Sequence, residues 1–173
     1  SGTTADPKLV PRDHSYAKAH EITGRFWLDL NDHDIHWTLS DTGWAKAAWG
    51  MVFGPWMAGA AIVLYDGDTR FDAVCHLKLI AKLHVSTFCA PPTVYRLFTQ
   101  HDLTTYDLSS IRHSVSAGEP LNPEVIRVWK ETTGTVVHDG YGQTETVNVV
   151  ANFPFMPVRP GSMGKPAPGF TVN

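Results

Sequence analysis

Cysteine is scarce: Cys75 and Cys89 are the only two among 173 residues. Each stands in an apolar run without paired metal-ligand spacing. A disulfide framework is therefore excluded, and small buried thiols in a reducing compartment are expected. An excess of charge of one sign is also missing. Fourteen Lys and Arg face seventeen Asp and Glu, for a formal net charge of −3, which supplies neither the basic surface that nucleic acid requires nor a solvating acidic tail. There is no initiator Met, no signal peptide, no internal repeat and no linker run of Gly, Pro or Ser. The chain reads as a piece of a larger protein, with Gly169 to Asn173 expected to open a strand. What is abundant is apolar surface: 43% hydrophobic residues and six Trp support one substantial core at a length typical of a single domain.

One long uncharged run does occur. Between Lys46 and Asp66 no Asp, Glu, Lys or Arg appears, and the stretch 47–65 approaches the length of a membrane span. Gly50, Gly54, Pro55 and Gly59 interrupt it, and Pro55 alone would cost a continuous helix about 3 kcal/mol. A buried helix-turn-strand is expected, with a membrane-associated segment as the rival.

Periodicity supplies the rest. Asp13 is placed to cap a helix running to about Thr23, with Gly24 as its stop. Ile35, Trp37 and Leu39 alternate with polar neighbours, as in a strand with one buried face, and Asp41 to Gly43 turn into a helix carrying Trp44, Ala47, Ala48 and Met51. Ala60 to Tyr65 is a continuous apolar run that suits a central parallel strand. Phe71, Val74, Leu77, Ile80 and Leu83 recur at helical spacing; Ser86 to Ala90 is a short strand; Pro91-Pro92 open a helix to about Gln100. Ile111 to Ser116 is a strand, Asn122 caps a helix ended by Gly134, and Thr135 to His138 returns as a strand. Strand and helix alternate throughout. The fold class is α/β, a mostly parallel sheet layered with helices, and its ligands belong beyond the carboxyl ends of the strands.

Three segments fall at such ends. Ser1-Gly2-Thr3-Thr4-Ala5-Asp6-Pro7-Lys8 offers hydroxyls, backbone N–H groups and a lysine, the chemistry of a phosphate cradle, although it is not a G-x-x-x-x-G-K-[ST] loop; an ordinary turn is the plain alternative. In Asp139-Gly140-Tyr141-Gly142-Gln143-Thr144-Glu145, glycines flank an aromatic residue so that backbone can approach a flat ring. Thr144 and Glu145 there place a hydroxyl and a carboxylate where a phosphate and its Mg²⁺ could be held; a tight turn with a solvated Glu145 is the alternative. Ser116-Ala117-Gly118-Glu119-Pro120 follows a strand and narrowly misses G-x-S-x-G, because Ser114 stands where Gly is needed, so a serine hydrolase is carried as a rival. Asp32-His33-Asp34-x-His36 has metal-capable side chains, but adjacent strand residues face opposite ways, and a solvated loop entering a strand is expected. Trp44, Trp49 and Trp56 are expected in the core, as is the Phe71, Val74, Leu77 and Ile80 stripe, although Trp44, directly after a strand-end turn, could wall a substrate pocket.

These segments in this order, with Trp37-Thr38-Leu39-Ser40-Asp41-Thr42-Gly43-Trp44 between the first two, resemble the adenylate-forming acyl-CoA synthetases. The runs Asp41 to Lys46, Phe88 to Thr93 and Tyr141 to Thr146 are most similar to medium-chain and short-chain acyl-CoA ligases. The resemblance covers the whole chain as the central stretch of a large N-terminal domain, residues 1–173 being a partial AMP-binding domain. It implies a two-step reaction: a fatty or other carboxylic acid attacks the α-phosphate of ATP with Mg²⁺ bound, and the thiol of coenzyme A then displaces AMP. By this resemblance Ser1, Gly2, Thr3, Thr4 and Lys8 hold the β- and γ-phosphates. Gly118, Glu119, Pro120, Asp139, Gly140 and Tyr141 surround the adenine, Gly142 and Gln143 also bind the nucleotide, Thr144 lies at the α-phosphate, and Glu145 is the Mg²⁺ ligand. Trp44 and Gly142 wall the acyl pocket. Two positions depart from the family pattern, Ala5 and Leu9 standing where glycine is usual. The ribose-binding aspartate, its following arginine and the small domain with the adenylation lysine are expected beyond Asn173. The implied partners are a small carboxylate, ATP and coenzyme A, without nucleic acid and without a membrane span, in the cytoplasm or mitochondrial matrix. A catalytically silent nucleotide-binding module is the alternative.

Overall fold

A computed structural model describes residues 9–67 and 70–172. The expected phosphate loop, Ser1 to Lys8, lies outside the described residues. Seven strands form one sheet: β1 Ile35–Thr38, β2 Ala61–Ile62, β3 Thr87–Cys89, β4 His113–Ala117, β5 Val137–Gly142, β6 Asn148–Ala151 and β7 Lys165–Pro166. Their order is β2-β1-β3-β4-β5-β6-β7. The first five run parallel, β6 pairs antiparallel to β5, and β7 pairs antiparallel to β6. The helices are α1 Ser15–Ile22, α2 Ala45–Ala47, α3 Gly54–Ala58, α4 Ala73–Leu83, α5 Pro92–Phe98 and α6 Pro123–Thr133.

Both faces of the sheet are covered, as parallel strands require. Trp37, Leu77, Ile80, Phe88, Phe98 and Trp129 pack one core beneath α4, α5 and α6, while Trp27, Leu28, Ala58, Cys89 and Val115 pack the other. Successive residues Phe88 and Cys89 serve opposite cores, which is the period of two acting on a doubly covered strand. The capping signals of α6 work as read: the Asn122 side chain accepts from the Glu124 N–H at 2.9 Å, and Gly134 ends the helix at φ +75°.

Several expectations are corrected. Gly24 does not stop the first helix, which continues in a wider turn over Thr23–Trp27. A Cβ at Gly24 would meet the Gly54 carbonyl at 2.7 Å, so this glycine serves a close backbone crossing, not a cap. Ala60 to Tyr65 is not a central strand: only Ala61–Ile62 pair, at the sheet edge, and Leu64 is 69% exposed. The strand at Ile35 does not have one solvated face, because His36 and Thr38 are buried as well and bond each other, the His36 ring meeting the Thr38 hydroxyl at 2.8 Å. Phe71 lies outside α4, whose cap is Asp72 accepting from the Cys75 N–H, and Leu83 at its end is partly exposed. Cys75 is only half-buried. Trp56 is exposed and Trp49 half-buried, so neither is a full core residue. Gly169 lies in a turn at φ +89°, and no strand follows it among the described residues. The uncharged stretch 47–65 folds into a wide turn, α3 and the edge strand, and no described helix is long and apolar enough to cross a membrane.

Asp34 belongs to an ion-pair network instead of a metal cluster. Arg112 donates to it through Nε at 2.9 Å and Nη2 at 2.6 Å, and the Ser86 hydroxyl donates at 2.7 Å. Burial pushes the Asp34 carboxyl up, but these bonds outweigh it and hold the group below its ordinary value.

Buried histidines set the acid response. Burial lowers His20, His36 and His113 to about 4. The unfolded chain takes up protons near 6.5 that the native chain refuses, so these groups' contribution, full above 6.5, is lost as pH falls toward 4. Asp139, pushed up to about 6 by burial, acts oppositely over 6 to 4, since its favoured neutral form stabilises at the lower pH. Three histidines outweigh one carboxylate. The urea midpoint is expected to be clearly lower at pH 5 than at pH 7; an equal or higher midpoint at pH 5 would contradict this balance.

Candidate functional site

The strand β1 has β2 on one side and β3 on the other, so successive connections depart in opposite directions and leave a crevice past the carboxyl ends. A cavity of about 530 Å³ opens there. Leu39, Ser40 and Asp41 enter it from the end of β1, and Pro91 and Thr93 from the end of β3. Ala117, Gly118 and Glu119 enter from β4, and Gly142, Gln143, Thr144 and Glu145 from β5. Four strand ends thus converge on one space.

Register brings the two β4 and β5 loops abreast: Ser116 pairs with Asp139 and Ala117 with Gly140. Gly118 then turns away at φ +111°, a backbone conformation that other residues avoid. At the end of β5, a Cβ on Gly142 would sit 2.5 Å from the Val147 carbonyl oxygen. The Thr146 hydroxyl accepts from the Gln143 N–H at 2.9 Å, and the Thr146 N–H donates to the Gln143 carbonyl at 3.1 Å. That closed turn carries Thr144 and Glu145 at the rim. Trp44, 61% exposed, stands before α2 as a side wall.

Of the residues expected from sequence, Trp44, Gly118, Glu119, Gly142, Gln143, Thr144 and Glu145 line this cavity. Pro120, Asp139, Gly140 and Tyr141 belong to the same two segments but do not line it. Asp139 is half-buried on β5 and accepts from the Gly140 N–H at 3.0 Å. The serine hydrolase reading fails on geometry: Ser116 is fully buried within β4, and its hydroxyl has no hydrogen-bond partner, histidine included.

Lys46 was not singled out by sequence. Its Nζ donates to the Ala117 carbonyl at 2.7 Å, tying the wall segment to the mouth of the β4 loop. Burial lowers its pKa, while the Glu119 and Asp139 carboxylates oppose the shift. Among the described lining residues it is the one Lys or Arg, facing Asp41, Glu119 and Glu145. A usable signal existed, for Lys46 is the last charge before the uncharged run, where a cation is costly unless engaged. Trp27 and Asn148 also line the floor and were missed. No described group of three or more His, Cys, Asp and Glu could hold a metal ion alone.

A family model described as AMP-binding enzyme matches residues 1–173. The chain belongs to the AMP-binding enzyme family. Among similar AMP-binding enzymes is the mitochondrial acyl-coenzyme A synthetase ACSM3 of Rattus norvegicus, 49% identical over all of this chain and 30% of that protein. An acyl-CoA synthetase of Brucella canis superposes with a TM-score of 0.90 at 36% identity, covering 99% of this chain and 32% of that one. The anthranilate CoA ligase AuaEII, solved in complex with anthranoyl-AMP, superposes with a TM-score of 0.89 at 35% identity, covering 98% and 33%. The chain spans about 30% of the length of the curated relatives it matches. The mostly parallel, helix-layered sheet is the fold of these AMP-binding enzymes.

Proposed function

We propose that the cavity is the acyl and adenylate site of an ATP-dependent, AMP-forming acid–thiol ligase, within a partial AMP-binding domain whose remaining parts lie elsewhere in the enzyme. The observation that carries the reading is the convergence of the β4 and β5 loops and Trp44 on one cavity. A relative's complex with an acyl-adenylate supports the same chemistry. The β4 loop from Gly118 to Pro120 and the Asp139 to Gln143 segment would embrace the adenine. Thr144 would donate to the α-phosphate, and Ser1 to Lys8 would hold the outer phosphates. Such chemistry asks the protein mainly for positioning and charge neutralisation.

Magnesium would arrive with the nucleotide. A single protein carboxylate would suffice, because Mg²⁺ is commonly held by one or two carboxylates together with substrate phosphates, and Glu145 at the rim would be that ligand. When bound, the ion supplies neutralisation of the phosphate charge. The chain's own part is to keep the acid beside Trp44 and Lys46, in line with the α-phosphorus, and to exclude water from the adenylate. Coenzyme A then accepts the acyl group and AMP leaves. Carboxylate-dependent exchange of pyrophosphate into ATP by the full-length protein tests the reading. Nucleotide binding without exchange would leave a silent module in its place.

Trp44 also makes a specificity prediction. Because the indole is largely exposed, Trp44→Ala is expected to fold normally and to shift the kcat/KM ranking toward bulkier acids by roughly tenfold. An unaltered ranking across a series of acids would remove Trp44 from the pocket wall.

A further inference from the structure

The turn that carries Thr144 and Glu145 is held shut by a third side chain, Thr146. Gly142 pairs with Asn148 across the β5–β6 hairpin, and residues 143–147 form its tip. Two threonines stand there with opposite surroundings. The Thr146 hydroxyl is engaged twice: it accepts from the Gln143 N–H at 2.9 Å and donates to the Val147 carbonyl at 2.8 Å. The Gln143 carbonyl lies farther from that hydroxyl, at 3.4 Å, and takes the Thr146 N–H at 3.1 Å. No hydrogen bond of the Thr144 hydroxyl reaches a described residue. One hydroxyl is therefore used inside the protein, and the other is left open at the cavity that Thr144 lines.

The two bonds between Gln143 and Thr146 are reciprocal. Each residue gives its N–H to the other, one to a carbonyl and one to a hydroxyl, so the backbone from 143 to 146 closes into a ring with Thr144 and Glu145 in its middle. The bond to Val147 fixes that ring to the neck of the hairpin. There the Val147 carbonyl is pressed onto Gly142, whose Cβ would meet its oxygen at 2.5 Å. Strand pairing shifts register between Tyr141 and Gly142, so the ladder by itself does not set the direction of the tip. The tip lies outside both cores and draws no order from apolar burial. Hydrogen bonds remain, and Ser and Thr side chains order turns by bonding nearby backbone groups in this way.

We propose that Thr146 is a positioning residue of the adenylate-forming reaction: its hydroxyl holds the turn that aims Thr144 at the α-phosphate and Glu145 at the metal ion. The assignment rests on the ligase reading of the cavity. Misplacing a reacting group by about 1 Å costs on the order of a hundredfold. A turn that keeps its Thr146 N–H bond loosens less, and a smaller loss is expected.

The test compares Thr146→Val, which keeps the shape and loses the hydroxyl, with Thr146→Ser, which keeps the hydroxyl. The full-length protein is used, and carboxylate-dependent exchange of pyrophosphate into ATP is read against Mg²⁺ and against the acid. Thr146→Val is expected to raise the half-saturating Mg²⁺ about tenfold and to lower exchange at limiting Mg²⁺ by a similar factor. KM for the acid is expected to stay within about twofold, because Trp44 and Lys46 stand on another segment of the cavity wall. Thr146→Ser is expected to restore exchange to within about threefold of the parent. Parallel losses for metal and acid, equal losses in the Val and Ser proteins, or a Val protein within about threefold of the parent each overturn the proposal. Those results leave the ligase reading standing, since the parent still exchanges. Absence of exchange from the unsubstituted protein overturns both. If Thr146→Val does not fold, hydrogen exchange of the exposed Gln143 amide in the unsubstituted protein decides the matter. Protection of about tenfold or more over the free chain upholds the clamp, and an unprotected amide overturns it.

Discussion

Glu145→Gln is expected to lower carboxylate-dependent pyrophosphate exchange by about a hundredfold or more while leaving thermal unfolding unchanged. The side chain is exposed at the cavity rim and outside both cores, so an amide of the same shape leaves both cores packed as they are. The large change is in charge. A phosphate-bound divalent cation loses its protein carboxylate, and removal of one preorganised electrostatic partner at a developing charge commonly costs on the order of 3 kcal/mol, which is about two decades in rate. Raising Mg²⁺ should recover part of the loss. Exchange within about threefold of the parent rate at limiting Mg²⁺ would take the metal role away from Glu145.

Trp129→Ala is expected to act through the fold. Trp129 is fully buried beneath α6, its ring meets Phe88, Tyr95 and Phe98 at centroid distances of 5.0 to 6.3 Å, and its indole N–H donates to the Ser114 hydroxyl at 3.0 Å. Truncation removes apolar contact, opens a cavity and takes away a partner of a buried hydroxyl, together about 3 to 5 kcal/mol. Against a typical domain stability of about 5 to 15 kcal/mol, that is a third or more. Because Ser114 lies on β4, whose end carries Gly118 and Glu119, loss of nucleotide binding should accompany the lower denaturation midpoint. A midpoint change worth less than about 1 kcal/mol would show that this aromatic stack is not the anchor of β4.

Some of the site was legible because backbone chemistry is local. Gly118 and Gly134 occupy positive-φ positions, Asn122 and Pro123 open α6 as such residues do, and the glycines around Tyr141 mark close backbone approach, though within the strand β5 and not in a turn. Each of these needs only a few neighbouring residues to be understood. The uncharged run 47–65 was legible in its interruptions, since glycine and proline disfavour one continuous helix, but not in its destination. Its apolar strand fell at the sheet edge because strand position depends on which partners the rest of the chain offers. Gly24 was misread for a related reason. A glycine that stops a helix and a glycine that admits a crossing backbone look alike in sequence, and only the approach of Gly54 separates them.

The sequence by itself determined the alternation of strands and helices, the turn chemistry at their ends and the family resemblance, all of which follow from residue order over short spans. Tertiary structure alone decided that Lys46 reaches the Ala117 carbonyl across 71 positions of sequence and that Trp27 and Asn148 share the floor above Gly140. It also decided that Ser116 points into the core. Those facts concern which side chains meet across strands, and pairing between distant segments is set by burial and register over the whole sheet, not by any local pattern.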